Sequence, residues 1–217
     1  MDYPILLNLQ GRLAVVVGGG AVGLRKVRGL LAAGARVRLV EPRGCALRAE
    51  GLEVLCRPYR TGDLAGATLA FAATADRPVN AAVLQEGREA GILVNVADAP
   101  EQGDFNLPAV LRRGELLVAV GSDGRSPALA GCVRDVLASQ LGEEWGLILE
   151  IVAAWRQKHL TAEEKTEYNS RVLRHLLDAG LPALIAAGDE AGIDRLLSSL
   201  CGPEISLAAL GLPLRKG

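Results

Sequence analysis

Three glycines, Gly18, Gly20 and Gly23, stand at G-x-G-x-x-G spacing between the apolar run Val15-Val16-Val17 and a segment carrying Leu24, Val27 and Leu31 at helical intervals. Glycines so placed can build an anion site from backbone alone. The first permits a tight turn, the second lets the main chain approach a pyrophosphate, and the third lets the next helix pack closely on the strand. The opening amides of that helix, with its dipole behind them, favour negative charge. Glu41 follows Gly20 by 21 positions, at the end of a second apolar run. A carboxylate there accepts a hydrogen bond from an adenosine ribose and repels a 2′-phosphate, which favours NAD over NADP. Arg43 argues the other way, because an arginine can pair with that phosphate. The run 68–74 ends in Ala72, Ala73 and Thr74, small residues that leave room for a ligand, with Thr74 a candidate cofactor contact. The run 92–98 ends with Asn95 and Asp98. Asn95 fits a cofactor contact or a structural strand-end amide equally well, and Asp98-Ala99-Pro100 alone reads as a turn.

These residues need a scaffold that brings strand ends to one edge. Strands are expected at 13–18, 36–41, 52–56, 68–74 and 92–98, with helices at 21–33 and 77–90. Alternation of this kind across about a hundred residues predicts a parallel sheet that binds ligands at its carboxyl edge. Residues 4–9 read as a short first strand or lead-in. After Pro100 the pattern changes to a strand pair, 105–111 and 115–120, flanking Arg112-Arg113-Gly114. Ser126 and Pro127 have the chemistry of a helix cap and first turn. The helix they open carries Leu129, Cys132, Val133, Val136, Leu137 and Leu141 on one stripe. From about 143 onward the chain reads as all helix, with a capping box at Thr161-Ala162-Glu163-Glu164 and a last amphipathic helix around Ile193 to Leu200. The expected fold class is α/β: a Rossmann-like parallel sheet (1–113), a dimerisation or linker segment (114–142) and a C-terminal helical domain (143–217).

The charge balance is 24 basic against 25 acidic residues, so nothing points to nucleic acid, and aromatics are too few for stacking platforms. No apolar stretch reaches membrane-spanning length, and the N-terminus lacks a signal-peptide pattern, which favours a cytoplasmic location. Cys45, Cys56, Cys132 and Cys201 are scattered and far from a histidine cluster, which argues against a metal site and for buried structural thiols.

Four stretches together carry a family resemblance: Val17 to Lys26; Ala72-Ala73-Thr74-Ala75-Asp76 with Val79-Asn80; Val94 to Pro100; and Ala119 to Ala130, which contains Gly121-Ser122-Asp123-Gly124-Arg125-Ser126-Pro127. In order and spacing they resemble the precorrin-2 dehydrogenase/sirohydrochlorin ferrochelatase family, the unit that also forms the N-terminal part of siroheme synthase. The resemblance implies NAD-dependent oxidation of precorrin-2 to sirohydrochlorin, in some members Fe²⁺ insertion as well, and a homodimer. It implies cofactor contacts at Ala21 and Val22 and, just past the second strand, at Pro42 and Arg43. It implies that Asp98 is the catalytic acid/base, and it places Ser122 at a position modified in some siroheme synthases. A hydride leaving a tetrapyrrole must be accompanied by a proton, which a carboxylate at the sheet edge can accept. The substrate's eight carboxylates call for arginines, and Arg112, Arg113, Arg125 and Arg134 are the candidates, with Ser122 beside them. The alternative is an NAD-sensing regulatory domain of the potassium-transport type. It would share the glycine loop but need neither the Asp98 stretch nor the Ser122–Pro127 linker.

Overall fold

The computed structural model describes residues 2–159 and 167–212. By its contacts the chain divides into two compact units, residues 1–107 with 123–126, and residues 108–122 with 127–217.

The first unit is built on five parallel strands: β1 (Leu13–Val17), β2 (Arg36–Val40), β3 (Leu52–Leu55), β4 (Leu69–Ala72) and β5 (Leu93–Val96), in the order β3-β2-β1-β4-β5. Helix α1 (Ala21–Ala32) connects β1 to β2 and helix α2 (Arg77–Ala90) connects β4 to β5. Strand alternation sorts the apolar side chains into two cores. Ala14, Val16, Val37, Leu39, Leu69 and Phe71 pack with Val27 and Leu30 of α1. Val15, Val17, Ala70, Ala72, Val94 and Val96 pack with Val83 and Leu84 of α2. A strand that is apolar on both faces and covered on both sides is the signature of a buried parallel sheet. This is the expected Rossmann-like architecture, and the direction of strand order reverses between β1 and β4, where such sheets open a ligand crevice.

The β3–β4 crossover has no helix. Polar anchors hold its loop instead: Arg57 donates two hydrogen bonds to Asp63, at 2.6 and 2.8 Å. Glu86 of α2 accepts from the amides of Gly62 and Leu64 and from the Tyr59 hydroxyl.

The second unit opens with an antiparallel hairpin, β6 (Ala109–Arg113) and β7 (Leu116–Val120), against which α3 (Pro127–Gln140) packs. Helices α4 (Glu144–His159), α5 (Glu167–Asp178), α6 (Leu181–Ala187), α7 (Glu190–Cys201) and α8 (Leu207–Leu210) follow. They share a core of Ile148, Ile151, Trp155, Leu176, Leu181, Ile193 and Leu197.

Several details are left open by the sequence or differ from its reading. Residues 4–9 form no strand; Tyr3, Ile5, Leu6 and Leu7 are exposed and only Leu9 joins the core. The stripe on α3 faces outward: Leu129, Val133 and Val136 are exposed, and Ala130 is the helix's buried residue. Helical spacing marks one face of a helix but does not say what covers it. Cys56 and Cys132 are exposed rather than buried, the first beyond an edge strand and the second on that outward stripe. Both hairpin strands lie in the second unit, and the contact division falls at Leu107/Pro108. The capping box at 161–164 lies outside the described residues. No described helix is long and apolar enough to cross a membrane.

Candidate functional site

The glycine loop follows β1 and is shaped by contacts that only glycine allows. Gly18 has φ +107°, and a Cβ there would lie 2.5 Å from the Ala73 carbonyl oxygen and 2.9 Å from the Thr74 nitrogen. A Cβ on Gly23 would lie 1.9 Å from the Gly18 carbonyl oxygen. Gly23 thus lets α1 close onto the loop itself, and Gly18 lets the loop close onto the end of β4. Gly20 is different: nothing lies within 4 Å of its would-be Cβ. It caps α1 without a side-chain hydrogen bond, and no acidic residue stands in the first turn. Ala21 and Val22, both exposed, open that turn, whose amides have no intrahelical partner. Open space and first-turn amides without intrahelical partners, in a turn that holds no acidic residue, fit a pyrophosphate.

Glu41, directly after β2, turns onto the loop. One carboxylate oxygen accepts the Gly19 amide at 2.6 Å and the other accepts the Arg43 amide at 3.1 Å. Each oxygen retains a second acceptor site, so a ribose hydroxyl can still be received. Pro42 and Arg43 are exposed beside it.

Beyond β4 and β5 a polar network forms. Asn80, on α2, is 3% exposed. Its carbonyl oxygen accepts from the Thr74 amide and hydroxyl, and its amide donates to the Thr74 carbonyl and to Asp98. The other Asp98 oxygen faces Arg77 at 3.8 Å, and the Asp98 side chain is 36% exposed. A continuous chain of contacts therefore runs from Gly18 through Thr74 and Asn80 to Asp98, all at the carboxyl edge of the sheet. Asp76 caps α2 by accepting the Val79 amide.

Asn95 lies one register position before the end of β5, on the α1 side of the sheet. It donates to the Phe105 carbonyl at 2.8 Å and accepts from Lys26 at 2.8 Å. Its amide is thus used at both ends within the fold. Sequence reasoning gave no role to Lys26 or Asn80. The available signal was the same for both, a polar residue amid the apolar positions of an amphipathic helix.

The Lys26 ammonium lies 5.0 Å from the Phe71 ring centroid. Burial, with the charge of Arg25 adding to it, lowers its pKa from 10.5 to about 8. The folded chain therefore holds this proton more weakly than the unfolded chain. Below about pH 8 both forms are protonated and the cost of burial is fully present; between about pH 8 and 10.5 the folded form sheds the proton first and gains stability. The stability of wild type relative to Lys26→Met should therefore rise across that window in urea titrations. A flat difference contradicts the assignment.

The four arginines do not share one unit. Arg125 belongs to the first unit, and Arg112, Arg113 and Arg134 to the second. Arg113 donates to the carbonyls of Leu141 and Ala138, satisfying the end of α3, and pairs with Glu143 at 3.2 Å. Arg134 is engaged by Asp135. Arg112 and Arg125 are exposed, and Ser122 is half-buried in the loop after β7. Among the described residues no group of three or more His, Cys, Asp or Glu gathers to hold a metal ion.

Comparison with known proteins agrees with this geometry. Residues 5–109 match a family model described as "Putative NAD(P)-binding". A siroheme synthase of Pseudomonas paraeruginosa is 36% identical over 217 residues, covering 97% of this chain and 47% of the relative. One from Pseudomonas aeruginosa is 37% identical over 203 residues, covering 91% and 44%. The chain spans about half the length of these curated relatives. The solved structure of SirC, a precorrin-2 dehydrogenase, matches with a TM-score of 0.68 and 25% identity over 90% of this chain and 98% of that one. With an NAD(P)-binding sheet and an acid anchored at its carboxyl edge, the chain resembles, along nearly its whole length, the precorrin-2 dehydrogenase SirC and the matched part of the siroheme synthases.

Proposed function

We propose that this protein oxidises precorrin-2 to sirohydrochlorin with NAD⁺ in siroheme biosynthesis. The observation that supports the reading is the contact chain from the glycine loop to Asp98, a carboxylate at the sheet edge where the nicotinamide of a bound dinucleotide would lie. Bound NAD⁺ supplies the hydride acceptor. The residues of the chain do the rest. The first amides of α1 hold the pyrophosphate, with Gly20 leaving room for it, and Glu41 receives the ribose while holding Gly19 in place. Asp98 takes the proton that must leave the tetrapyrrole with the hydride. One hydride and one proton are removed for each new double bond. An NAD-sensing domain would have no use for a half-exposed acid held by a buried amide, and so fits this site less well.

Two extensions belong to the same reading. Fe²⁺ enters as a second substrate, inserted into sirohydrochlorin while Asp98 accepts the displaced pyrrole protons; adding Fe²⁺ or Co²⁺ to sirohydrochlorin and following the visible spectrum tests this, and an unchanged spectrum rejects it. The second partner is another copy of this chain. Val133 and Val136 on α3 leave an apolar face exposed, 39% and 57% respectively, and sedimentation equilibrium reads the mass directly.

Glu41→Ala should weaken NAD⁺ binding by about 1.5–3 kcal/mol, the contribution of a hydrogen bond to a charged group. Calorimetric titration checks this, and unchanged affinity removes Glu41 from the ribose site. The reading as a whole is tested by supplying precorrin-2 and NAD⁺ anaerobically and following sirohydrochlorin formation.

A further inference from the structure

Asn80 is an anomaly on its helix. It is almost fully buried, shares the inner face of α2 with Val83 and Leu84, and yet carries an amide. Burying an amide is costly unless it is fully hydrogen-bonded. The orientation of this one is unambiguous. The Thr74 amide can only donate, and it lies 3.2 Å from the Asn80 oxygen. The Thr74 carbonyl can only accept, and it lies 3.1 Å from the Asn80 nitrogen. With those partners fixed, the remaining N–H of Asn80 points at Asp98 Oδ1, 2.9 Å away. Three of the four contacts tie α2 to the end of β4. The fourth reaches past the core to a carboxylate at the surface, where the fold itself gains little.

We propose that Asn80 is a positioning residue for the reaction, holding the Asp98 carboxylate in one orientation; this rests on the reading of Asp98 as the proton acceptor. Arg77 does not do this job. Its guanidinium is 88% exposed and 3.8 Å from Oδ2, the kind of surface pair that holds nothing firmly. Asn80 instead occupies Oδ1 with a donor, which leaves Oδ2 as the oxygen available to a proton. Because the same amide also grips Thr74, beside Gly18, the acid is set in register with the glycine loop rather than only with its own turn.

Asn80→Asp is the informative substitution. It keeps an oxygen for the Thr74 amide and hydroxyl and replaces the donor facing Asp98, and the Thr74 carbonyl, by an acceptor. Anaerobic precorrin-2 oxidation is measured for wild type, Asn80→Asp, Asp98→Ala and the double variant, with calorimetric titration of NAD⁺ on each. The expected result for Asn80→Asp is a fall in kcat of about ten- to a hundredfold, the scale of a misplaced catalytic group. KM for precorrin-2 and Kd for NAD⁺ stay near wild type, and the Asp98→Ala background shows no further loss. Asn80→Ala, which removes the donor without adding charge, is carried through the same cycle and should give the same pattern if Asn80→Asp folds poorly. Wild-type kcat in Asn80→Asp or Asn80→Ala, with Asp98→Ala inactive, overturns this inference alone. An equal loss in the Asp98→Ala background also overturns it, because Asn80 would then act through something other than Asp98. Full activity of Asp98→Ala overturns the acid–base reading, and this inference with it.

Discussion

Replacing Asp98 by alanine should lower kcat for precorrin-2 oxidation by about 10²–10⁴-fold, the usual worth of a general acid or base. NAD⁺ affinity should stay unchanged. The two halves of that expectation come from different parts of the structure. The phosphate loop and Glu41 complete their contacts without Asp98. Asp98 itself is only lightly built into the fold: one hydrogen bond from Asn80 and a distant pair with Arg77, on a side chain 36% exposed. Losing it leaves Asn80 bonded to Thr74 but removes the acceptor of one Asn80 N–H, so the stability cost should be about 1–3 kcal/mol. A large fall in kcat with a modest fall in Tm therefore marks a chemical role. Asp98→Asn, which keeps the shape and loses the base, should fall nearly as far. Stopped-flow absorbance with calorimetric NAD⁺ titration checks both halves, and a fully active Asp98→Ala returns the residue to a turn former.

Gly23→Ala should cost both fold and cofactor. In isolation the change favours a helix by about 1 kcal/mol. Here the added methyl would sit 1.9 Å from the Gly18 carbonyl oxygen, and backbone cannot swing aside as a side chain can. Gly18 is itself packed close against Ala73 and Thr74. The helix must lift away from the loop, and overpacking of this kind costs about 1–3 kcal/mol. NAD⁺ binding should be lost with it, since the first-turn amides of α1 move as well. Gly20→Ala is the control. Its backbone is at φ −67° with nothing near the new methyl, so Tm should hold. Its NAD⁺ affinity should still drop about tenfold, 1.4 kcal/mol, because the methyl fills space meant for the ligand. Thermal melts and calorimetry on both variants separate the roles. A stable, NAD⁺-binding Gly23→Ala contradicts the close-packing account.

The parallel sheet was legible in the sequence because β1 and β4 are apolar on both faces and short apolar runs alternate with helix-spaced segments. The glycine spacing was legible too: a Cβ on Gly18 or Gly23 would meet backbone and one on Gly20 would not, though Gly23 closes α1 onto the loop rather than onto the strand. What escaped was anything decided by the partner rather than by the residue. Asn80 looks like an ordinary helix polar residue until Thr74 and Asp98 are brought to it from two strand ends. Lys26 looks like a surface charge until Asn95 and Phe71 enclose it. The α3 stripe has the spacing of a core face, yet the described residues leave Val133 and Val136 uncovered. The arginines were grouped by type and proximity along the chain, whereas Arg113 and Arg134 are already engaged by neighbouring groups. For Asn95 the sequence left two roles open, and its bonds to Phe105 and Lys26 supply the structural one in full.

The central claim is that one site transfers hydride from precorrin-2 to NAD⁺. Its most direct test is an anaerobic single turnover with excess enzyme, recording NADH and sirohydrochlorin absorbance in the same trace. The account predicts that both rise together, with one NADH for each sirohydrochlorin and none of either when NAD⁺ is omitted. Sirohydrochlorin formed without NADH, or no conversion by protein that binds NAD⁺, would contradict it.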